Sequence, residues 1–388
     1  MQKNNLSERK LVFLISKWYP NEDDPQLGVF IRKHAKAISE NFDVIVFYAS
    51  TKEGLKHIRI DEFKSYRLSE YLVYFPKSNL PGSRLIHFFR YLRAFLTVWK
   101  RTLLQYRKPD IIHSYILLRP AILAWLIRLM QGIPYIVSEQ WSGYATGKYL
   151  QRNYIFRWLC RMTFNAANGR TCVSNFLKDN MTRYGFSSNI EITPNIIEIQ
   201  SEPKFNRKYD CSILMVADMV DDIKNISAVV RSVVSLSKKL SGIHLKLVGH
   251  GRDFESIKSL CKELDPGETL IEMTGLRTNE EVYHELWNCD FLIMNSFFET
   301  FSLICAEALS CGKPVIATKC GGPQEFINDQ CGILIEPGND KELMAAIEEM
   351  YGNYKKYDPQ KLRNYSKELF SHSKSAELFN RIIKATID

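Results

Sequence analysis

Two glutamates in the second half of the chain, Glu299 and Glu307, have the placement of residues that hold a ligand, with seven residues between them. The apolar run at residues 291–294 predicts a buried strand ahead of the pair, and residues 306–312 predict a helix that a glycine stops. A strand leading into a helix amino terminus forms a ligand crevice, because free backbone N–H groups there attract phosphate. Carboxylates in such a crevice must serve hydroxyl groups, since phosphate repels them. The pair therefore predicts a nucleotide sugar as the ligand.

A longer run of motifs surrounds this pair. Six segments follow one another over about forty residues: 296–299 (Ser-Phe-Phe-Glu), 301–302 (Phe-Ser), 306–308 (Ala-Glu-Ala), 312–315 (Gly-Lys-Pro-Val), 321–325 (Gly-Gly-Pro-Gln-Glu) and 331–338. Their order resembles the family-four retaining glycosyltransferases, which have the two-domain GT-B fold. Two glutamates at this spacing occur often by chance, whereas the whole ordered run does not. The resemblance is strongest over residues 211–349 and thinner in the first half.

The order of apolar segments agrees with the fold that this resemblance implies. Helical patterns lie between most of the predicted strands, as in parallel sheets covered on both faces. The expected class is α/β, with two Rossmann-like domains facing across a cleft. Strands are predicted at residues 10–16, 43–49, 72–75, 110–114, 135–138, 169–173, 190–193, 211–216, 245–249, 270–273, 291–294, 314–318 and 332–335.

The expected domains follow the same order. Residues 1–200 form an acceptor-binding domain and residues 201–365 a nucleotide-sugar-binding domain, with a linker predicted at 198–210. Residues 358–388 are predicted as helix, and the part from 366 onward is free to pack back on the first domain.

The resemblance also assigns roles in the second domain. Glu299 would bind the donor sugar near the reacting carbon and Glu307 the ribose hydroxyls, while Lys224 matches a lysine that grips the diphosphate. A solvated surface lysine is the alternative for Lys224. The other donor-side candidates are the backbone of Phe301, Ser302 and Leu303 at the β-phosphate, the turn glycines Gly249 and Gly251, Gly275 near the base, and Arg252, which faces either phosphate or solvent.

Three positions depart from the family pattern. Asp218 stands where an arginine usually contacts the diphosphate, Gln140 where a histidine lies close to the scissile bond, and Ser302 where glycine is usual. An acid near phosphate opposes binding. Either Asp218 points away, or another cation compensates, or Lys224 and helix N–H groups hold the diphosphate. Gln140 can hydrogen-bond a ligand oxygen but carries no positive charge.

The acceptor-side candidates lie in the first half: Gly28, His113, Ser174 and Asn195. Gly28 ends a long acidic loop at residues 18–28, which either lines the acceptor side or is a mobile surface loop. For His113, a satisfied core histidine is an equally good interpretation.

Composition limits the class of protein. The length of 388 residues favours two domains, and nine cysteines without a Cys-x-x-Cys pair favour a reducing compartment over a disulfide scaffold. No secretory signal is evident, and Arg119, Pro120 and Arg128 interrupt the longest apolar region, so we expect a cytoplasmic protein. The sequence contains neither an Asp-x-Asp pair nor a His-Glu-x-x-His motif. No metal or other cofactor is therefore expected.

The net charge of +9 is unevenly distributed. Residues 71–109 contain eight Lys or Arg residues and no acid, and their apolar residues recur with a helical period. The segment is either a core helix with a solvated basic edge or a surface for anionic lipid at the inner face of the plasma membrane. Nucleic acid is a poorer partner, because no recognised binding module accompanies the charge.

The expected reaction is transfer of a sugar from a nucleotide diphosphosugar to a hydroxyl acceptor, with retention of configuration, as the resemblance implies. The acceptor would be a glycan or lipid-linked glycan of cell-surface polysaccharide or glycolipid assembly. Two alternatives remain open. One is a nucleotide-sugar epimerase of the same architecture, and the other is a non-catalytic nucleotide-sugar-binding subunit, which Asp218 and Gln140 favour.

Overall fold

The computed structural model describes residues 9–117, 119–198 and 210–387. These residues form two compact units. Unit 1 holds the described residues of Met1–Val173, Lys178–Ile196 and His372–Asp388, and unit 2 holds those of Ser174–Leu177 and Ile197–Ser371. Residues 199–209 of the predicted linker lie outside the described residues.

Unit 1 is built on an eight-stranded sheet. Its strands are β1 (Leu11–Ser16), β2 (Asp43–Lys52), β3 (Arg59–Ser65), β4 (Leu68–Pro76), β5 (Ile111–Tyr115), β6 (Tyr135–Glu139), β7 (Gly169–Cys172) and β8 (Glu191–Ile192). The order is β3-β4-β2-β1-β5-β6-β7-β8, and all neighbours are parallel except β3 and β4. The helices of this part of the chain are α1 (Val29–Ser39), α2 (Ser83–Gln105), α3 (Arg119–Gln131), α4 (Tyr154–Asn165) and α5 (Asn175–Arg183).

The two faces of strand β1 show how this sheet is covered. Val12 and Leu14 belong to a core cluster that also contains residues of α1. Phe13 points to the opposite face, because strand side chains alternate. There its ring lies 6.2 Å from Phe95 and 5.1 Å from Trp99, both on α2. A strand buried on both faces accounts for the unbroken apolar run at the start of the chain.

Unit 2 is built on a six-stranded parallel sheet. Its strands are β9 (Cys211–Val216), β10 (Ile243–Val248), β11 (Ile271–Gly275), β12 (Phe291–Met294), β13 (Val315–Thr318) and β14 (Gly332–Ile335), in the order β11-β10-β9-β12-β13-β14. The helices are α6 (Asp221–Lys224), α7 (Ile226–Leu236), α8 (Phe254–Leu264), α9 (Asn279–Asn288), α10 (Leu303–Ser310), α11 (Asp340–Asn353) and α12 (Pro359–Phe370). The predicted α/β class with two Rossmann-like domains is confirmed. Among the described residues, no helix has the length and hydropathy that a membrane span needs.

The segment at residues 358–388, predicted as helix, is divided into two helices. Helix α12 ends at Phe370, Ser371 is extended with φ −66° and ψ 155°, and a separate helix α13 (His372–Ile387) follows. The two helices bury their apolar faces in different units. Helix α12 packs on α10 in unit 2, whereas α13 packs on α1 and places Phe379 and Ile383 in the core of unit 1.

Strand β3 was not predicted from the sequence. It pairs antiparallel with β4 at the edge of the sheet, and residues 62–65 are exposed. An edge strand with this much exposure lacks the apolar alternation that identifies half-buried strands.

Two histidines lie in the core of unit 1. His34 on α1 and His113 on β5 are completely buried, and both rings contact Phe379 at centroid distances of 5.0 and 5.8 Å. His34 Nδ1 lies 3.1 Å from the Tyr115 hydroxyl, and His113 Nε2 lies 2.7 Å from Ser138 Oγ. Burial lowers the pKa of each imidazole to about 3, so both are neutral in the folded protein at physiological pH.

Unit 1 should therefore lose stability as the pH falls below 6.5. An unfolded chain protonates each histidine near pH 6.5, whereas the folded unit does so only near pH 3, so stability is complete above pH 6.5 and is lost progressively between these values. Each histidine accounts for about 1.4 kcal/mol of loss at about pH 5.5. Urea unfolding at graded pH measures this slope. His113→Phe, which leaves Ser138 bonded to Thr171, should remove about half of it, and an unchanged slope would contradict the assignment.

Candidate active site

The candidate site lies at the carboxyl edge of the sheet in unit 2. From β9 the chain moves outward to β10 and β11 on one side, and it returns to β12 on the other side. The loops after β9 and β12 therefore leave the sheet side by side, at the kind of switch point where α/β sheets bind ligands. The loop after β9 leads to Lys224 at the end of α6, and the loop after β12 carries Glu299.

An ion pair joins these two loops. Lys224 Nζ lies 2.5 Å from Glu299 Oε1, which also accepts a hydrogen bond from Ser296 Oγ at 3.1 Å. About a fifth of each charged side chain remains exposed, 20% for Lys224 and 19% for Glu299. Burial lowers the pKa of Lys224, but the attraction of Glu299 and then of Asp218 outweighs burial, so the pKa lies above the ordinary lysine value. Lys224 is therefore a fixed positive charge.

Backbone and amide contacts fix the pair in place. The N–H of Phe297 donates to the carbonyl of Ile223 at 2.8 Å, and Asn295 Nδ2 donates to the carbonyl of Asn225 at 3.1 Å. On the other side, Thr318 Oγ1 donates to the carbonyl of Ser296 at 2.5 Å. The loop with Glu299 is thus tied both to the helix end that carries Lys224 and to strand β13.

Sequence reasoning did not identify Asn295, Ser296 or Thr318 as part of the site. One signal was available for Ser296, because the pattern Ser296-x-x-Glu299 has the spacing at which a hydroxyl and a carboxylate commonly interact at the start of a helix. Here the hydroxyl bonds the carboxylate directly. Asn295 and Thr318 carry no such signal, since their partners are backbone carbonyls far away in sequence.

The two-glycine motif supports Glu299 from behind. The N–H of Glu299 donates to the carbonyl of Cys320 at 3.1 Å, and the N–H of Gly322 donates to the carbonyl of Glu299 at 2.8 Å. Gly321 has φ +125°, and a Cβ on Gly322 would collide with the backbone of Thr300 and Phe301. Both glycines are needed because two backbones approach closely here.

Helix α10 begins four residues after Glu299. Phe301 is buried against Phe326 and Phe370, so only its backbone is available to a ligand. Leu303 is the first residue of the helix, and the N–H groups of its first turn have no partner within the helix. They form a site suited to an anion beside Lys224.

Ser302 precedes α10 in a left-handed conformation, with φ 71° and ψ 85°. Its hydroxyl donates to Cys305 Sγ at 3.2 Å. A non-glycine residue at this φ is strained, which explains why the family pattern prefers glycine at this position.

Glu307 lies on α10 and is buried, with 7% of the residue exposed. Burial and, after it, the nearby Glu307 carboxylate raise the pKa of Tyr283. Glu307 is thus near enough to act on Tyr283 of α9, the helix against which α10 packs.

On the other side of the switch point, the backbones of the glycine-containing turns pack closely against neighbouring backbone. A Cβ on Gly249 would collide with the carbonyl of Ala217, and a Cβ on Gly251 would come within 2.5 Å of the carbonyl of Met219. Gly275 has φ +72°, and its carbonyl accepts from the N–H of Gly249 at 2.9 Å. These three glycines are required by the shape of the turns, whether or not a ligand contacts them.

Arg252 and Asp218 occupy the rim of this region. The Arg252 guanidinium is ion-paired with Asp222 and lies 3.4 Å from Asp253 Oδ2, so two carboxylates already engage it. Asp218 is exposed, yet it is close enough to raise the pKa of Lys224. The charge of Asp218 therefore acts on Lys224.

In unit 1, Gln140 and Asn195 meet. Gln140 Nε2 donates to Asn195 Oδ1 at 3.0 Å, and both residues are buried. They lie beside Glu139, a completely buried carboxylate that sequence reasoning missed. Burial raises the pKa of Glu139, although hydrogen bonds from the backbone N–H groups of Trp141, Leu117 and Gln140 oppose the rise. Glu139 thus organises the loops that follow β5 and β6.

The remaining acceptor-side candidates have structural partners. His113 is buried in the core, as its alternative interpretation held, because it lies inside strand β5 rather than on a loop. Ser174 Oγ accepts from the N–H of Leu177 at 3.2 Å at the start of α5.

The acidic loop at residues 18–28 is held by cations from neighbouring strands. Lys52 on β2 pairs with Glu22 and Asp23, and Arg59 on β3 pairs with Glu22. Gly28 closes the loop, since a Cβ there would lie 2.8 Å from the Trp18 carbonyl. Within residues 9–117, 119–198 and 210–387, no group of three or more His, Cys, Asp or Glu side chains is arranged to hold a metal ion.

Two family models match the chain in succession. The model described as Glycosyltransferase Family 4 matches residues 27–201, and the model described as Glycosyl transferases group 1 matches residues 197–369. The chain belongs to the family-four glycosyltransferases. Glu299 and Lys224 both lie in the segment matched by the second model.

Other glycosyltransferases share parts of the sequence or the whole fold. A lipopolysaccharide core biosynthesis glycosyltransferase of Rhizobium meliloti is 25% identical over 182 residues, which cover 45% of this chain and 51% of that protein. Sucrose-phosphate synthase from Thermosynechococcus elongatus is 18% identical, with a TM-score of 0.78 over 97% of this chain and 98% of its own. Anabaena HepE in complex with UDP is 14% identical, with a TM-score of 0.70 over 97% and 100%.

At these identities the two solved structures establish the GT-B fold alone. The sequence matches are partial, since the chain spans 66% and 51% of the lengths of the first two curated relatives it matches.

Replacing Ser302 by glycine should stabilise this protein. The change removes the left-handed strain, worth about 1 kcal/mol, and loses only a weak hydrogen bond to sulfur. The free energy of unfolding in urea should rise by roughly that amount. Ser302→Ala is the matched control, because it loses the same hydrogen bond and keeps the strain. Equal effects of the two substitutions would show that Ser302 is not strained.

Proposed function

We propose that this protein transfers a sugar from a nucleoside diphosphosugar to a hydroxyl acceptor, with retention and without a metal ion. The observation that carries the proposal is the Lys224–Glu299 pair at the switch point of unit 2, with Glu299 four residues before the first residue of α10. A fixed cation, free N–H groups and a carboxylate side by side suit a ligand that is anionic at one end and hydroxyl-rich at the other.

In the complex with the donor, Lys224 and Glu299 would bind different parts of the ligand. Lys224 and the first N–H groups of α10 would bind the diphosphate, where negative charge grows as the bond to the sugar breaks. Glu299 would accept hydrogen bonds from sugar hydroxyls, and Glu307 from the ribose. Ser296, Asn295 and Thr318 would hold Glu299 in position rather than touch the donor.

We favour a mechanism in which the acceptor hydroxyl attacks the anomeric carbon from the same face from which the diphosphate leaves. The bond from the anomeric carbon to the β-phosphate oxygen breaks with its electron pair going to the phosphate. The acceptor oxygen then bonds the same carbon, and its proton passes to the departing phosphate oxygen. Glu299 is engaged by Lys224 and Ser296, which suits a carboxylate that binds hydroxyls better than one that acts as a nucleophile.

The relatives narrow the substrates to be tried. The Rhizobium relative is named for lipopolysaccharide core biosynthesis, which supports a cell-surface glycan or glycolipid as acceptor. The HepE structure contains UDP, which supports uridine donors as the first to test. We assign acceptor binding to unit 1, where Gln140 and Asn195 present paired amide groups beside Glu139.

The test is product analysis with a panel of UDP-, GDP- and ADP-sugars, with and without lipid-linked glycan acceptors. We expect release of nucleoside diphosphate and a glycosylated acceptor whose new linkage keeps the donor's anomeric configuration by NMR. An isomerised nucleotide sugar formed without acceptor would identify an epimerase instead. Binding of a nucleotide sugar with no turnover in any mixture would identify a non-catalytic subunit.

Lys224→Gln and Glu299→Gln should affect different steps. Losing a charge-assisted hydrogen bond to phosphate costs about 2 kcal/mol, so Lys224→Gln should weaken nucleoside diphosphate binding roughly 30-fold in calorimetric titration. Glu299→Gln should leave nucleoside diphosphate binding within about threefold but abolish most turnover, because its partner is the sugar.

Lys319→Gln is the control for these two variants, since it removes an exposed lysine of unit 2 that pairs with Glu336. It should change neither nucleoside diphosphate binding nor turnover. Near-normal turnover by Glu299→Gln would refute the role of Glu299, and unchanged binding by Lys224→Gln would refute that of Lys224.

Asp218→Asn should tighten donor binding. Asp218 is close enough to influence Lys224, so its charge opposes that of the diphosphate. Because Asp218 is exposed, the gain should be modest, roughly two- to fivefold in the dissociation constant, and it should shrink as salt is added. Asp222→Asn tests the alternative that removing any acid from this rim tightens donor binding. Asp222 is already paired with Arg252, so its charge is partly neutralised. Weaker binding by Asp218→Asn would mean that this carboxylate contacts the donor favourably.

A further inference from the structure

A long stretch of unit 1 is almost free of acids. Residues 71–173 contain fifteen Lys or Arg residues and only two acids, Asp110 and Glu139. Neither acid offers a free negative charge at the surface. Asp110 binds Lys10, Arg107 and the N–H of Leu11, and Glu139 is completely buried. The excess of basic over acidic residues therefore extends well beyond the segment at residues 71–109.

Helix α2 exposes an apolar stripe within this stretch. Its inner side is buried through Tyr91, Phe95 and Trp99. Its outer side leaves Phe89 63% exposed and Leu104 75% exposed, among the cations Arg93, Lys100 and Arg101. The exposed large apolar residues of α2 are Leu85, Phe88, Phe89, Leu96, Leu103 and Leu104. A helix that is apolar on its outer side as well as its inner side is unusual on a water-facing surface.

Helices α3 and α4 continue the same surface. Both lack acids, and they pack against each other. Their exposed apolar residues are Leu126, Leu129 and Met130 on α3, and Tyr154, Ile155 and Trp158 on α4. Tyr and Trp are enriched where one end of a side chain is apolar and the other meets a membrane–water boundary.

The three helices lie on one face of the sheet. The connections β4-α2-β5, β5-α3-β6 and β6-α4-β7 all cross the sheet in one direction, so the right-handed crossover rule places their helices on the same side. The Arg119 guanidinium at the start of α3 lies 5.9 Å from the Tyr91 ring of α2, which agrees with this placement. We call the outer surface of α2, α3 and α4 the basic–apolar face.

We propose that the basic–apolar face docks on an anionic phospholipid bilayer. Charge complementarity selects this occupant, because the face has cations without exposed acids and a bilayer with anionic lipid has the opposite charge. The exposed aromatic and aliphatic side chains enter the boundary between headgroups and acyl chains, while long Arg and Lys side chains reach the headgroups. A protein partner would need an acidic surface to match the five exposed cations of α2 and α3, and a second copy of this face would repel the first.

This inference concerns the surface of unit 1 and does not depend on the donor chemistry of unit 2. Its readout is lipid binding, so it can fail while the nucleotide-binding tests succeed. A bilayer location would place the protein beside lipid-linked acceptors, which gives the surface a use in the proposed reaction.

The experiment is sedimentation of the full chain with vesicles of phosphatidylcholine containing graded amounts of phosphatidylglycerol. Binding should rise with the anionic fraction and fall with salt. Replacing Arg93, Lys100 and Arg101 together by Gln should lower the partition coefficient roughly tenfold or more, since each cation contributes to the attraction. Replacing Phe88 and Phe89 by Ser should lower binding at high salt as well, because the apolar part is not screened.

The matched control replaces three exposed lysines of unit 2, Lys238, Lys239 and Lys355, by Gln. It removes the same net charge and should bind as the wild type does. Equal loss in the control, equal binding to neutral vesicles, or no binding at all would overturn the proposal. So would a concentration-dependent dimer that the Phe88 and Phe89 substitutions dissolve, since the face would then belong to a second copy. Unfolding temperatures of all variants check that each remains folded.

Discussion

The ion pair between Lys224 and Glu299 is the interaction on which the site in unit 2 depends. It joins the two loops that leave the sheet at its switch point, and four fifths of each charged side chain is shielded from solvent. Two partly buried charges at 2.5 Å need a fixed geometry, because removing either one would leave the other desolvated without a partner. The surrounding contacts supply that geometry. Asn225 takes a left-handed conformation between α6 and α7, and Gly321 and Gly322 admit a second backbone behind Glu299.

Electrostatics at the rim distinguish this chain from the pattern that it resembles. Asp218 is close enough to raise the pKa of Lys224, and α6 and the adjacent turn carry three further acids, Asp221, Asp222 and Asp253. Several of these acids are already occupied: Asp222 pairs with Arg252, and Asp221 and Asp253 accept backbone N–H groups. Asp218 is the acid whose charge acts on Lys224. Under the proposed function, the absence of an arginine there would leave the cationic share of diphosphate binding to Lys224 and make the dipole of α10 correspondingly more important.

The sequence predicted the strands that position the site, because each is a short run buried on both faces. Strands β9 and β12 have the predicted bounds, and the helix that contains Glu307 is present but begins at Leu303, ahead of the predicted 306–312. Prediction failed where the determining contact is distant in sequence or where the segment is exposed. Edge strand β3 depends on pairing with β4, and the break at Ser371 depends on α12 and α13 packing in different units. Asn295 and Thr318 bond backbone carbonyls that no local pattern reveals.

The loops around Lys224 and Glu299 are proposed to bind the nucleoside diphosphate part of a donor. Hydrogen–deuterium exchange of the full chain, with UDP, GDP and ADP added in turn, tests this claim without an acceptor. A binding nucleotide should slow exchange in peptides that cover residues 217–225 and 295–307, because it occupies the N–H groups there and rigidifies both loops. Exchange that slows only in unit 1, or in neither unit at concentrations where calorimetry shows binding, would contradict the claim.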